Sequence, residues 1–369
     1  MKSFGLVVAM AAQAYGQFLG GNWRTDTSKT SIDLGQLQRG GPPKDGIPSI
    51  DKPRFLPASN IDWLAPTELV IAVPLDGSAR AYPLQILMWH ELVNDRIGEN
   101  PILVSYCPLC NSAVVFDRRL GDATLEFGVS GMLRNSDMVM FDRQTESLWQ
   151  QITGDGIVGT YTGSKLRVIP SQMIPFDQFK ESFPGGIVLT RETGFQRDYG
   201  RNPYRGYEFG SGPIMPVSSS RATSLRPMEK LVVLKDGNGY RAYPVSRLAR
   251  RGVIEEKVNG RQVVLFYSPD GLSPVDATNM QQSRSVGSIG VFSVETGAGK
   301  IRFRKAGGHI EDRETSSVWS VTGVAVGGKR KGTALRPIEH GVFFAFAWLA
   351  FKPDTLVVGE PPVSLIVPK

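Results

Sequence analysis

The sequence predicts a mainly β protein with minor helices, all-β or α+β, arranged as two tandem homologous antiparallel β modules. Three observations carry this. The 41 glycines and 25 prolines among 369 residues require many turns and short strands rather than long helices. Runs of β-branched and aromatic residues recur at short spacing between Gly, Asn and Asp turns, the pattern of antiparallel sheets. Long stretches of the chain also repeat at a fixed offset, which organises the remaining elements.

The first half opens with the apolar run Glu68 to Val73 and reaches Arg80-Ala81-Tyr82-Pro83. The second opens with Lys230 to Leu234 and reaches Arg241-Ala242-Tyr243-Pro244. In each half a proline then opens a short helical signal, Leu84 to Met88 and Val245 to Leu248. Two strand-like runs follow around a turn: Glu91 to Ile97 with Pro101 to Tyr106, and Val253 to Val258 with Arg261 to Tyr267. The offset is 161 residues without a gap, from Tyr82/Tyr243 to Cys107/Ser268. Further on, Asp142-Arg143 to Trp149 matches Asp312-Arg313 to Trp319 at an offset of 170, so the second half gains about nine residues between these points. Val342 to Phe351 is apolar but too short to span a bilayer, and reads as core.

The chain divides accordingly into a leader (1–14), an irregular arm (15–60) rich in Gly, Pro, Asp and Ser, a first module (61–215) and a second, degenerate module (216–369). The leader has Lys2, an apolar stretch from Phe4 to Ala12, and the small-x-small site Ala12-Gln13-Ala14. That is the order of a secretory signal peptide cleaved near Ala14, and it implies a secreted, periplasmic or extracellular protein. The net charge of +7 is spread along the chain, with Lys329-Arg330-Lys331 the longest basic run. A nucleic-acid footprint would be clustered, so the charge reads as solvated surface. No transmembrane segment is expected.

A set of motifs is distinctive. Trp89-His90-Glu91, Tyr106-Cys107-Pro108-Leu109-Cys110, Asn135-Ser136-Asp137, Asp142-Arg143-Gln144-Thr145, and Thr193-Gly194-Phe195 with Arg197-Asp198-Tyr199-Gly200-Arg201-Asn202-Pro203-Tyr204 occur in this order. Together, from about residue 40 to 360, they resemble domain-of-unknown-function family 3179. The resemblance implies a secreted or envelope protein and brings no activity with it. The chemistry must come from the residues.

The internal repeat acts as a control. Residues shared by both halves, such as Tyr82/Tyr243, Arg143/Arg313 and Trp149/Trp319, are assigned to packing and buried pairing, with Asp142–Arg143 and Asp312–Arg313 read as buried ion pairs. Residues found in one half are candidates for function. Cys-Pro-Leu-Cys becomes Ser268-Pro269-Asp270-Gly271, and His90 becomes Arg251. The Asn259-Gly260 hairpin pairs Val258 with Arg261. Carried back by the offset, that register sets Ile97 against Asn100 and, continued outward, His90 against Cys107, with Cβ atoms about 5 Å apart.

His90, Cys107 and Cys110 therefore form a candidate mononuclear metal site. A fourth ligand is sought among Met140, Met138, Asp137 and Glu91. Two thiolates and an imidazole suit copper first, zinc or iron otherwise. The metal would serve metal handling or redox chemistry; whether the protein is an enzyme stays open. Two other readings stand beside it. One is a non-catalytic secreted binding or envelope-assembly module, with another exported protein or a glycan as partner. The other is a CxxC thiol–disulfide oxidoreductase, although the residues after Cys110 lack the helical period that activates such thiols. The arginines and tyrosines between Arg191 and Tyr207 are a further candidate for an anionic or sugar ligand, or else a self-packed loop.

Overall fold

The computed structural model describes residues 23–360, apart from 218–220, 222 and 297–298. The leader expected at 1–14 lies outside the described residues.

The arm contributes β1 (Gln38–Arg39) and β2 (Phe55–Pro57). The hairpin of β3 (Leu69–Leu75) and β4 (Ser78–Pro83) runs into α1 (Leu84–His90), then the meander β5 (Leu92–Ile97), β6 (Asn100–Cys107) and β7 (Ser112–Asp117). A small hairpin, β8 (Arg119–Leu120) with β9 (Ala123–Thr124), precedes a second meander: β10 (Phe127–Arg134), β11 (Asp137–Asp142), β12 (Leu148–Gln150) and β13 (Asp155–Val158). β14 (Val168–Ile169), β15 (Gln172–Pro175), α2 (Phe176–Ser182) and β16 (Ile187–Leu189) return to the earlier sheets. Three sheets result, in the orders β15-β3-β4-β16-β2, β14-β7-β6-β5 and β1-β10-β11-β12-β13.

The same order of elements recurs later: β17 (Lys230–Asp236), β18 (Gly239–Pro244), α3 (Val245–Arg251), β19 (Val253–Val258), β20 (Arg261–Ser268) and β21 (Ser288–Ser293). After the short pair β22 (Glu295–Thr296) and β23 (Gly299–Lys300) come β24 (Phe303–Ala306), β25 (His309–Asp312), β26 (Val318–Trp319), β27 (Ala325–Gly327) and β28 (Arg336–Pro337). β29 (His340–Phe344), α4 (Ala345–Phe351) and β30 (Leu356–Val357) close the chain. Their sheets are β29-β17-β18-β30, β19-β20-β21-β28 and β24-β25-β26-β27. The fold is mainly β and mostly antiparallel, with four short α-helices among the described residues. No described helix is long and apolar enough to cross a membrane.

Local chemistry explains the correspondence. In both halves a buried tyrosine on the second strand of the hairpin donates its hydroxyl to a carboxylate on the strand after the helix: Tyr82 to Asp95 (2.5 Å) and Tyr243 to Glu256 (2.8 Å). Arg80 and Arg241 neutralise the same two carboxylates. The predicted strand registers hold: Val258 pairs with Arg261, and Ile97 with Asn100 through to Leu92 with Ser105.

The expected Asp–Arg pairs are corrected. Asp142 accepts instead from the Thr145 amide and hydroxyl and from Trp149 Nε1, and Asp312 repeats this with Thr315 and Trp319. Arg143 reaches Asp45 in the arm, while Arg313 donates to the Phe303 carbonyl. A buried carboxylate needs donors, and its own turn and a strand-mate Trp supply them closer than the next residue's guanidinium.

The halves do not keep separate cores. One apolar cluster joins Tyr82, Val104 and Trp149 to Val233, Phe343 and Trp348; another joins Val70 and Phe176 to Phe266 and Trp319. The arm is laced in as well, with Ile50 bonded on both sides to β5 through the Leu92 carbonyl and the Asn94 amide.

Two differences in length separate the halves. The connection from β6 to β7 takes four residues, 108–111, and that from β20 to β21 takes nineteen, 269–287. The hairpin of β10 and β11 spans 127–142, and that of β24 and β25 spans 303–312, six residues shorter. A connection fifteen residues longer and a hairpin six residues shorter together account for the gain of nine in the sequence offset.

Candidate metal centre

Cys107 ends β6 and pairs with Ser112 across the four-residue turn that holds Cys110. The turn is closed by Cys110 N–H to the Cys107 carbonyl and by Asn111 N–H to the Pro108 carbonyl, with Asn111 at φ +51°. This folds both sulfurs to one side. Asp137 arrives from the tip of the β10–β11 hairpin, immediately after the turn residues Asn135 and Ser136. The two Sγ atoms and one carboxylate oxygen of Asp137 all lie within 4.8 Å of one another. All three side chains are buried, and both cysteines are free thiols.

The polar contacts are incomplete. Asp137 Oδ2 accepts from Gln150 Nε2 (2.5 Å) and from the Ile152 amide (3.0 Å). Cys110 donates to the Ser136 carbonyl at 3.3 Å. The thiols approach Asp137 closely enough to favour its charged form, while Oδ1 makes no regular hydrogen bond. The Tyr106 hydroxyl beside the thiols is likewise unpartnered. A buried polar atom left unpaired costs about 1–3 kcal/mol, so each of these two calls for a physical explanation.

The electrostatics point the same way. Burial pushes the Asp137 carboxyl up to about 7. Burial, and then Asp137 itself, pushes Glu91 up to about 8. Burial also raises both thiols. Burial makes the charged form of each of these four acids costly, and a cation among them would offset that cost. Cys110 leads into β7 rather than a helix, so no helix N-terminus lies here to stabilise a thiolate.

His90 is elsewhere. The predicted register is right, but α1 continues through His90 and the β5–β6 ladder stops at Glu91, whose carbonyl takes the Tyr106 amide. Glu91 turns the chain at φ +58°, and His90 leaves on the helix side. There Nδ1 meets the Pro48 carbonyl and Nε2 the Tyr199 hydroxyl, each at 2.7 Å. Both nitrogens are engaged away from the thiols, so the structure does not bring His90 to the cluster. Of the four residues expected to complete the site, Asp137 joins it and Glu91 lies beside it. Met138 and Met140 pack in the same apolar core as the cysteines.

The backbone is strained around this point. Four of the nine described non-glycine residues with positive φ are Glu91, Asn111, Asn135 and Ser136. In the second half, Gly252 stands where Glu91 does, and Gly307-Gly308 make the corresponding hairpin turn.

Tyrosines cover the cluster. Tyr207 donates its hydroxyl to the Leu109 carbonyl at 2.9 Å. Tyr204 lies near enough to Glu91 and Cys107 for its own ionisation to be held back by them, after burial. Both belong to the arginine- and tyrosine-rich connector, which packs on the protein rather than presenting its tyrosines outward. Arg191 there bonds Gln85 and stacks on Trp63, and Arg201 pairs with Asp198. Sequence reasoning reaches Tyr207 only as part of a candidate anionic or sugar site, and Tyr106 only as the residue that precedes the cysteine turn.

A family model described as a protein of unknown function (DUF3179) matches residues 44–355. No curated protein and no solved structure matches the chain.

Proposed function

We propose that this chain, which belongs to the DUF3179 family, is a metal-binding protein whose first module holds one ion between Cys107, Cys110 and Asp137. The observation that carries the reading is a buried Asp137 carboxylate with an oxygen within 4.8 Å of two buried thiols, and with Oδ1 left without a well-aligned donor. A divalent cation supplies the charge those three groups need to ionise and gives Oδ1 its partner. The donor set favours zinc, which accepts thiolate and carboxylate together. Copper, preferred when an imidazole was expected, ranks second now that a carboxylate stands in its place. Glu91 is the nearest further carboxyl.

The repeat supports this. All three residues vanish together from the second half, where the Cys-Pro-Leu-Cys turn is replaced and the hairpin tip carrying Asp137 is missing. We read that half as a degenerate copy of the first. The signal-like leader supports export, which places metal loading in the cell envelope or outside. Metal handling or redox chemistry remains the role we assign.

The test is elemental analysis of untagged protein after exposure to zinc and gel filtration. One zinc per chain is expected, lost in Cys110→Ser and Asp137→Asn and kept in His90→Gln. A wild-type chain that retains no metal, or an Asp137→Asn variant that retains a full equivalent, overturns the proposal. A non-catalytic binding module is what would then remain.

A further inference from the structure

The connection from β20 to β21 sits where the first module has its cysteine turn, but it is far longer and carries no thiol. Its course gives it a different task. It leaves the second module and runs along the connector that covers the cysteines. Asn202 N–H bonds the Thr278 carbonyl (2.8 Å), Gly206 N–H the Asp276 carbonyl (2.6 Å) and Tyr207 N–H the Val275 carbonyl (3.0 Å). In return, Met280 N–H bonds the Gly200 carbonyl (2.9 Å). Side chains lock the same seam: Asn202 Nδ2 reaches the Ala277 carbonyl, and buried Glu208 takes the Ser273 hydroxyl (2.5 Å) and Lys230 Nζ (2.9 Å).

The second module also grips the cysteine turn directly. The Phe344 amide, at the end of β29, donates to the Cys110 carbonyl at 3.0 Å. The turn is thus held at Leu109 by Tyr207, whose own backbone is pinned by the long loop, and at Cys110 by Phe344. Main-chain hydrogen bonds at several successive points fix the position of a segment that has no regular structure of its own.

We infer that the second module is a clamp for the first: loop 269–287 and Phe344 hold the tyrosine-bearing connector shut over Cys107 and Cys110, and thereby set how fast the thiols and any bound ion exchange with solvent. Glu208 and Asn202 are positioning residues in this scheme. The inference takes the cysteine cluster as the functional site, but its central test needs no metal.

The experiment measures alkylation of Cys107 and Cys110 by iodoacetamide in metal-free native protein, with the rate of zinc removal by a chelator as a second readout. Asn202→Ala and Glu208→Gln are compared with Tyr243→Phe, which loosens the second module away from the seam. The clamp variants are expected to label at least tenfold faster than wild type, while Tyr243→Phe labels at the wild-type rate. Equal acceleration in all three means that labelling follows global unfolding, and it overturns the clamp, as does no change in the two clamp variants. If the chain takes up no zinc, the chelator arm is void and the metal reading fails, while the alkylation arm still decides the clamp.

Discussion

The Nε2 atom of His90 lies 2.7 Å from the hydroxyl of Tyr199, and Nδ1 lies 2.7 Å from the Pro48 carbonyl oxygen. A carbonyl can only accept, so the proton is on Nδ1 and the Tyr199 hydroxyl donates to Nε2. The Thr193 hydroxyl in turn lies 2.6 Å from that of Tyr199. The imidazole joins the arm, α1 and the connector, and burial, its largest influence, keeps it neutral.

A structural histidine makes a clear forecast. His90→Gln leaves metal content at the wild-type level but lowers unfolding free energy by about 1 kcal/mol, the cost of losing hydrogen bonds to two half-buried partners. Tyr199→Phe costs about 1 kcal/mol. Urea titration with parallel metal analysis separates this from a ligand role, in which metal would be lost first.

Glu91 makes a second forecast. Its φ of +58° is one that Gly252 occupies without penalty in the second half. Glu91→Gly is expected to raise the stability of the metal-free protein by about 1–3 kcal/mol, as strain and a buried carboxyl disappear together. The same change weakens metal retention, because it removes a carboxyl beside the cluster that a bound cation would draw into its charged form. A denaturation midpoint that falls would contradict the strain argument.

Asp117, at the end of β7, gives a pH forecast. Burial opposes its ionisation, but hydrogen bonds from Arg119 and Arg167 prevail and hold its carboxyl down at about 2. With the folded value below the unfolded one, the unfolded chain binds more protons between the two. The stabilisation is therefore complete above about 4, the ordinary aspartate range, and is lost as the pH falls through 2. Arg167→Ala should move that acid limb to higher pH in thermal melts recorded between pH 2 and 5. An unchanged limb would show that Arg119 alone suffices.

The Asp142 and Asp312 networks supply a comparison within one molecule. Each aspartate accepts from a threonine amide, a threonine hydroxyl and a tryptophan Nε1 at nearly the same distances. Asp142→Ala and Asp312→Ala are expected to destabilise by similar amounts, about 2–4 kcal/mol, because each leaves several buried donors unpaired. Chemical denaturation of the two variants checks this; a loss confined to one would mean that the networks are not equivalent.

Much of this architecture was legible because hairpin register follows from turn length and alternation. The pairing of Ile97 with Asn100 came from an Asn-Gly turn in the other half. His90 was misplaced because local sequence does not say whether a helix ends one residue sooner or later, and the positive φ at Glu91 decides it. Asp137 stood among several candidates because its approach to the thiols depends on how two separate hairpins pack. The clamp was hidden for another reason. A connection fifteen residues longer and a hairpin six residues shorter leave only their difference in the sequence offset.

X-ray absorption at the metal edge of the zinc-loaded protein tests the central claim most directly. The account predicts a first shell with two sulfurs near 2.3 Å and oxygen at about 2.0–2.2 Å, unchanged in His90→Gln. A shell containing imidazole, or one without sulfur, would contradict it.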